Sequence, residues 1–196
     1  MAIRLGLDAS LRVPSCAVST DRGIMVTTTT GKPVENLSAM IRETLLKANV
    51  GLKELDEIVV CVGPGSQMGG RAAVATGNAL ALALEIPITG VFSLDALAAT
   101  MPASEPITTA VTHGRGRWHV AEYTWNGDKL QRLSDLQLLE ELPPDALLSC
   151  EPDSECFDEM KIGACGVLIV ADQQRHLITQ SMLEEVTPFE RGDGNG

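Results

Sequence analysis

Ile3, Leu5 and Leu7 alternate with Arg4, Gly6 and Asp8, and this period of two predicts a first strand that ends at the polar triplet Asp8-Ala9-Ser10. A second strand, Ser15 to Thr20, follows a turn containing Pro14. Asp21-Arg22-Gly23 then reads as a hairpin turn into a third strand, Ile24 to Thr30, whose threonines suit β structure. The period changes afterwards. Leu37, Met40, Ile41, Leu45 and Ala48 recur at helical spacing, with Pro33 in the first turn and Gly51 placed as the stop. Ile58 to Val62 is an almost unbroken apolar run, the pattern of a strand covered on both faces. A second helix is expected from about Gly69 to Glu85, ended by Pro87.

Ile88 to Phe92 predicts a further strand, and Ser93 the cap of a helix reaching Thr100. The stretch 101–106, with two prolines, reads as a linker. Beyond it, Ile107 to Thr112 and Trp118 to Trp125 pair around Gly114-Arg115-Gly116-Arg117. Val167 to Val170 fits a strand or the start of a helix, and the tail 191–196 reads as disordered. These elements describe an α/β protein with a first lobe over 1–101 and a smaller second lobe over 107–190.

Composition narrows the partners. Aromatic residues make up only 3% of the 196 positions, so packing rests on Val, Ile, Leu and Ala. The net charge of −11 opposes strong direct binding to nucleic acid. No leader-like segment opens the sequence and no apolar run is long enough to span a membrane, so the expected location is cytoplasmic. The five cysteines are odd in number and scattered, which predicts free thiols rather than disulfides or a structural zinc site. Nine acids and no base lie between Ser134 and Met160; the pattern reads as a solvated face, with an acidic docking surface as the alternative.

The richest stretch runs from Cys61 through Gly63, Gly65 and Ser66 to Gly69, Gly70 and Arg71. A P-loop needs Lys and Ser/Thr after its last glycine, and here Gly70 is followed by Arg71 and Ala72; the dinucleotide fingerprint fails at Met68. The glycines therefore read as structural, with Ser66 as N-cap and bulk unwelcome at Gly69 and Gly70. Asp8 and Ser10 could face a ligand, or could stabilise their own turn. His113 and His119 read as polar strand residues, and Cys61 as a buried inert thiol. No residue is assigned a catalytic, cofactor-binding or metal-binding role.

Helix two has no polar side. Ala73, Gly77 and Ala81 form one ridge of small residues, Ala75, Ala79 and Ala83 another, and leucines fill the rest of its circumference. One face can pack on the chain's own sheet. The other needs a further helix, internal or from a partner.

In order, Asp8-Ala9-Ser10, Cys61 to Ser66, Gly69, Arg71, Val74-Ala75-Thr76, Leu80-Ala81, Ile86-Pro87, Gly90-Val91 and Ser93-Leu94-Asp95-Ala96-Leu97 resemble the TsaB (YeaZ) family across the first half of the chain. The resemblance implies an actin-like (ASKHA), ribonuclease H-like fold of two lobes, the second shortened. It also implies a non-catalytic scaffold in tRNA modification. That scaffold would pair with a TsaD-type transferase making threonylcarbamoyladenosine beside the anticodon, and with a TsaE-type ATPase; alone it could form a homodimer. In such proteins the two long helices build the interface, which here places Glu35, Leu37, Met40, Ile41, Ala73, Ala75, Gly77, Ala79 and Ala81 at the contact. No cofactor is implied. Two rivals remain: an ATP-dependent kinase or transferase of the same superfold using Asp8 and Ser10, and a diverged protein-interaction module. The sequence departs from the family at Pro33-Val34-Glu35, at Gln67-Met68 and at Thr112-His113-Gly114-Arg115, which puts TsaE and nucleotide contacts in question.

Overall fold

The computed structural model describes residues 2–29, 33–101, 106–146 and 163–174. The predicted tail, most of the linker and the second half of the acidic stretch lie outside them. The first sheet is built as the alternation predicts. Strands β1 (Arg4–Asp8), β2 (Ser15–Thr20) and β3 (Gly23–Thr28) form an antiparallel meander, while β4 (Glu57–Gly63) and β5 (Ile88–Phe92) join β1 in parallel, giving the order β3-β2-β1-β4-β5. The unbroken apolar run at 58–61 is fully buried because helices cover both faces of the sheet.

On one face lie α1 (Pro33–Ala48) and α2 (Gln67–Leu84), packed over Leu5, Leu7, Cys16, Val18, Ile58 and Val60. The breakers act a little differently from their sequence reading. Asn49 takes the left-handed conformation after α1 (φ 52) and Glu85 after α2 (φ 56). Gly51 therefore does not stop α1; its N–H donates to Glu54 and opens a single 3-10 turn, Leu52–Glu54.

α3 (Ser93–Ala99) begins at Ser93 itself, whose hydroxyl is not a cap. It donates to the Pro64 carbonyl at 2.6 Å and ties this helix to the β4–α2 turn. The second sheet has β6 (Ile107–Gly114), β7 (Arg117–Asn126) and β8 (Lys129–Arg132) in order, with β9 (Gln137–Leu139) also on β7. Its Val111, Ala121 and Tyr123 pack on Leu94, Leu97 and Ala98 of α3.

α4 (Gly163–Gln174) is a helix and belongs with the first sheet, although it follows the second in sequence. Its Ala164, Val167 and Leu168 cover Ala17, Val59 and Cys61. Close approach explains Gly6 and Gly163: a Cβ on Gly6 would sit 2.7 Å from the Ala164 carbonyl oxygen, and one on Gly163 would fall on the Asp8 carboxylate. The helix is locked by the Ala164 N–H donating to Ser15 Oγ at 3.0 Å and by an ion pair from buried Arg4 to Asp172.

Candidate functional site

Two places in the molecule hold the residues singled out in the sequence: the turns where β1 and β4 end, and the helices α1 and α2. At the first, Ser66 caps α2 as expected, accepting from the Gly69 N–H at 3.2 Å, while its own N–H donates to the Ser10 carbonyl at 2.7 Å. α2 thus starts against the 8–10 turn. A Cβ on Gly69 would lie 1.8 Å from the Ala9 carbonyl oxygen, and one on Gly65 2.2 Å from that of Ser10. Gly63 and Gly65 also hold φ values of 98° and 150°. Gly70 is different: its nearest neighbour would be 3.7 Å away, so the expected intolerance of bulk applies to Gly69 and not to Gly70. Arg71 is exposed on the first turn of α2.

Asp8 is turned inward. Its Oδ1 accepts from the Ser10 N–H at 2.8 Å and the Ser10 hydroxyl at 2.7 Å, and Oδ2 faces the start of α4 at Gly163. Burial pushes the Asp8 carboxyl above its ordinary range against the lowering effect of the Ser10 bonds. Ser10 Oγ also lies 3.1 Å from Cys61 Sγ. Burial, and then the charge of Asp8, raise the Cys61 thiol well above its usual value, so it stays protonated and a poor nucleophile. This is the turn-stabilising arrangement. Outside it, a cleft of about 400 Å³ opens between Ser10, Arg12 and Ser66 on one side and Thr112, Gly114 and Trp118 on the other.

Sequence reasoning missed two clusters. His113 and His119 touch across the β6–β7 hairpin, Nδ1 to Nε2 at 2.9 Å, with Arg117 on the other nitrogen of His113 at 3.3 Å. The register that pairs Val111 with His119 brings them together; spacing alone could not. Tyr123 and Arg132 face each other in the β7–β8 register, and Asp95 meets them through the packing of α3 on the second sheet. Among the described residues there is no group of three or more His, Cys, Asp or Glu that could hold a metal ion, and no helix is long and apolar enough to cross a membrane.

The helical face sorts the expected contact residues. Leu37, Met40, Ile41, Ala73, Gly77 and Ala81 are buried inside this chain, because their stripes of α1 and α2 face the first sheet; they are unavailable to a partner. Glu35, Ala75 and Ala79 are exposed. The same outward surfaces carry apolar side chains that the expected set omitted: Leu46 is 74% exposed, and Met68 and Leu82 are each 73% exposed. Position on the helix was the available signal, since Leu82 continues the Ala75–Ala79 ridge.

The sheet order, the crossing helices and the second layer define an actin-like, ribonuclease H-like α/β protein. The comparisons agree. The model of the family described as "TsaD: tRNA N6-adenosine threonylcarbamoyltransferase" matches residues 15–139, and the chain belongs to that family, among its TsaB (YeaZ) members. It is 30% identical over 111 residues to the tRNA threonylcarbamoyladenosine biosynthesis protein TsaB of Buchnera aphidicola, a match covering 52% of this chain and 53% of that protein. It is 36% identical over 69 residues to the tRNA N6-adenosine threonylcarbamoyltransferase of Clostridioides difficile, over 35% of this chain and 20% of that one. The chain therefore spans about half the length of the first relative and a fifth of the second. A solved structure of YeaZ from Pseudomonas aeruginosa superposes with a TM-score of 0.67 at 25% identity, over 74% of this chain and 72% of that one. Another, titled as an uncharacterized protein with similarity to peptidase YeaZ from Pseudomonas aeruginosa, superposes with a TM-score of 0.77 over 97% and 99% of the chains. Its 20% identity speaks for the fold alone.

Proposed function

We propose that this protein is a non-catalytic subunit of the machinery that makes threonylcarbamoyladenosine in tRNA, docking a TsaD-type transferase through the outward faces of α1 and α2. The observation that carries the reading is the exposure of Leu46, Met68 and Leu82 beside the small residues Ala75 and Ala79. Small residues let a partner helix approach closely, and each large side chain buried on docking contributes about 1.5–3 kcal/mol of transfer free energy. A TsaE-type ATPase completes the assembly, and the same face supports a homodimer when the partner is missing. The work is cytoplasmic, with tRNA held mainly by the partner, as the charge of −11 favours. The first sheet with its helices forms one lobe and the second sheet the other.

The rival enzyme of the same superfold would need Asp8 to face a ligand. Its carboxylate is instead fully buried and bonded to its own turn. A diverged interaction module is separated by experiment. Co-expression with the TsaD-type protein of the same genome, followed by size-exclusion chromatography, should give one co-eluting complex, and Ala79→Glu should abolish it while the subunit stays folded. Separate elution of the wild-type proteins, or co-elution that survives Ala79→Glu, would sink the helical-docking reading.

A further inference from the structure

The second sheet carries a surface of another kind. Between Arg132, at the end of β8, and Ala146 the chain runs almost wholly in solvent. Leu133, Leu136, Leu138 and Leu142 are 50%, 36%, 44% and 37% exposed. Single exposed leucines are ordinary, but four within ten residues are not. The strap is held to β7 at Glu122, which accepts from the Leu133 N–H at 2.8 Å and donates to Ser134 Oγ at 3.0 Å, and through β9, whose Gln137, Leu138 and Leu139 sit opposite Val120, His119 and Trp118. Among the described residues no strand pairs with the other edge of β9. Its unpaired backbone groups are a template for one more strand.

Charge selects what adds there. Glu140 and Glu141 follow β9 directly, both exposed, and no Lys or Arg occurs from Ser134 to Met160. A second copy of this chain, meeting the surface about a two-fold axis, would set acid against acid. The geometry points to β9 as the acceptor edge for an extended segment of another protein in which Lys or Arg alternates with aliphatic residues. Its aliphatic side chains share the face of Leu138 and its cations the opposite face, where they reach the acids at the bend that follows β9, and the period of two that a strand imposes makes the alternation necessary. This surface is independent of the proposed helical face, since α1 and α2 pack on the first sheet.

The test uses the full chain and a labelled peptide of about ten residues alternating Lys and Val, followed by fluorescence anisotropy near physiological salt. Saturable binding is expected. It should weaken about tenfold or more with a peptide N-methylated at alternate residues, which removes strand hydrogen bonds, and equally with Leu136→Ser/Leu138→Ser. That double variant keeps the net charge of −11, so general attraction of a cation to an acidic protein would not distinguish it from wild type. Circular dichroism confirms that it folds. Absence of binding would overturn the inference, as would binding indifferent to N-methylation or to the leucines. So would sedimentation showing a wild-type dimer that the double variant loses, because the occupant would then be a second copy.

Discussion

Asp95 on α3 and Tyr123 on β7 meet across the two layers of the molecule, the phenol donating to Asp95 Oδ1 at 2.6 Å. Arg132 of β8 donates to the same oxygen at 2.6 Å, and its guanidinium lies 5.8 Å from the Tyr123 ring centre and 5.5 Å from that of Phe92. One carboxylate therefore gathers three elements. Tyr123→Phe should cost about 2 kcal/mol, the worth of a hydrogen bond to a charged group, and lower Tm by roughly 4–8 °C. A calorimetric scan of the variant checks it; an unchanged Tm would mean that the bond is made equally well with water.

Burial, then the charge and hydrogen bond of Asp95, push the Tyr123 phenol far above its ordinary value. A raised pKa means that the native state holds the proton more tightly than the unfolded chain does. The stabilisation is thus fully present below about pH 10, the unfolded value, and is lost progressively above it. Tyr123 is the only tyrosine, so tyrosinate absorbance near 295 nm reports this group alone. It should stay absent in the folded protein past pH 10.5 and appear together with alkaline unfolding. Reversible ionisation near pH 10 without loss of circular dichroism would contradict the burial.

Arg4 is 1% exposed and reaches two carboxylates, Glu57 through Nε at 3.1 Å and Asp172 at 3.0 Å, but their side chains are 16% and 60% exposed respectively. Glu57 also accepts from the Thr89 hydroxyl at 2.7 Å. Glu57→Gln should cost about 3 kcal/mol because it leaves a buried cation short of its more buried partner, whereas Asp172→Asn should cost less than about 1 kcal/mol. Urea melts of the pair decide it. Equal losses would show that the two ion pairs share the burden of neutralising Arg4.

The inward and outward ridges of α2 should part company under the same substitution. Ala73→Glu puts a charge into the first core and should unfold the chain, while Ala79→Glu should leave Tm within about 2 °C, as surface changes usually do. Glycine gives a parallel contrast. Gly69→Ala drives a Cβ into a backbone carbonyl and should destabilise by more than about 2 kcal/mol. Gly70→Ala has room and should gain about 0.5–1 kcal/mol of helix propensity. Thermal melts of the four variants that came out in any other order would displace α2 from its position here.

The strands and the two long helices were legible because the chain alternates cleanly at 3–8 and recurs at helical spacing from 37 to 48. The Ser66 cap was legible for its local chemistry. What escaped depended on contacts distant in sequence. Nothing local separates the inward Ala73–Gly77–Ala81 ridge from the outward Ala75–Ala79 one, since both consist of small residues and only the position of the sheet distinguishes them. The 163–174 segment has no polar side because it is roofed by two layers, and that uniformity hid both its helical period and its place on the first sheet. His113 meeting His119 needed a strand register, and Asp95 meeting Tyr123 needed the whole of α3.

The return of α4 to the first sheet also bears on how the chain is made. Residues 1–101 emerge from the ribosome with every strand of that sheet and both of its long helices, yet with Ala17, Val59 and Cys61 unroofed until residues 163–174 follow. During that interval a fully formed apolar sheet face stays open to water and to other nascent chains. A truncated product ending near residue 101 should therefore be captured by chaperones or aggregate, and α4, rather than the sheet made before it, sets the moment at which that face is covered.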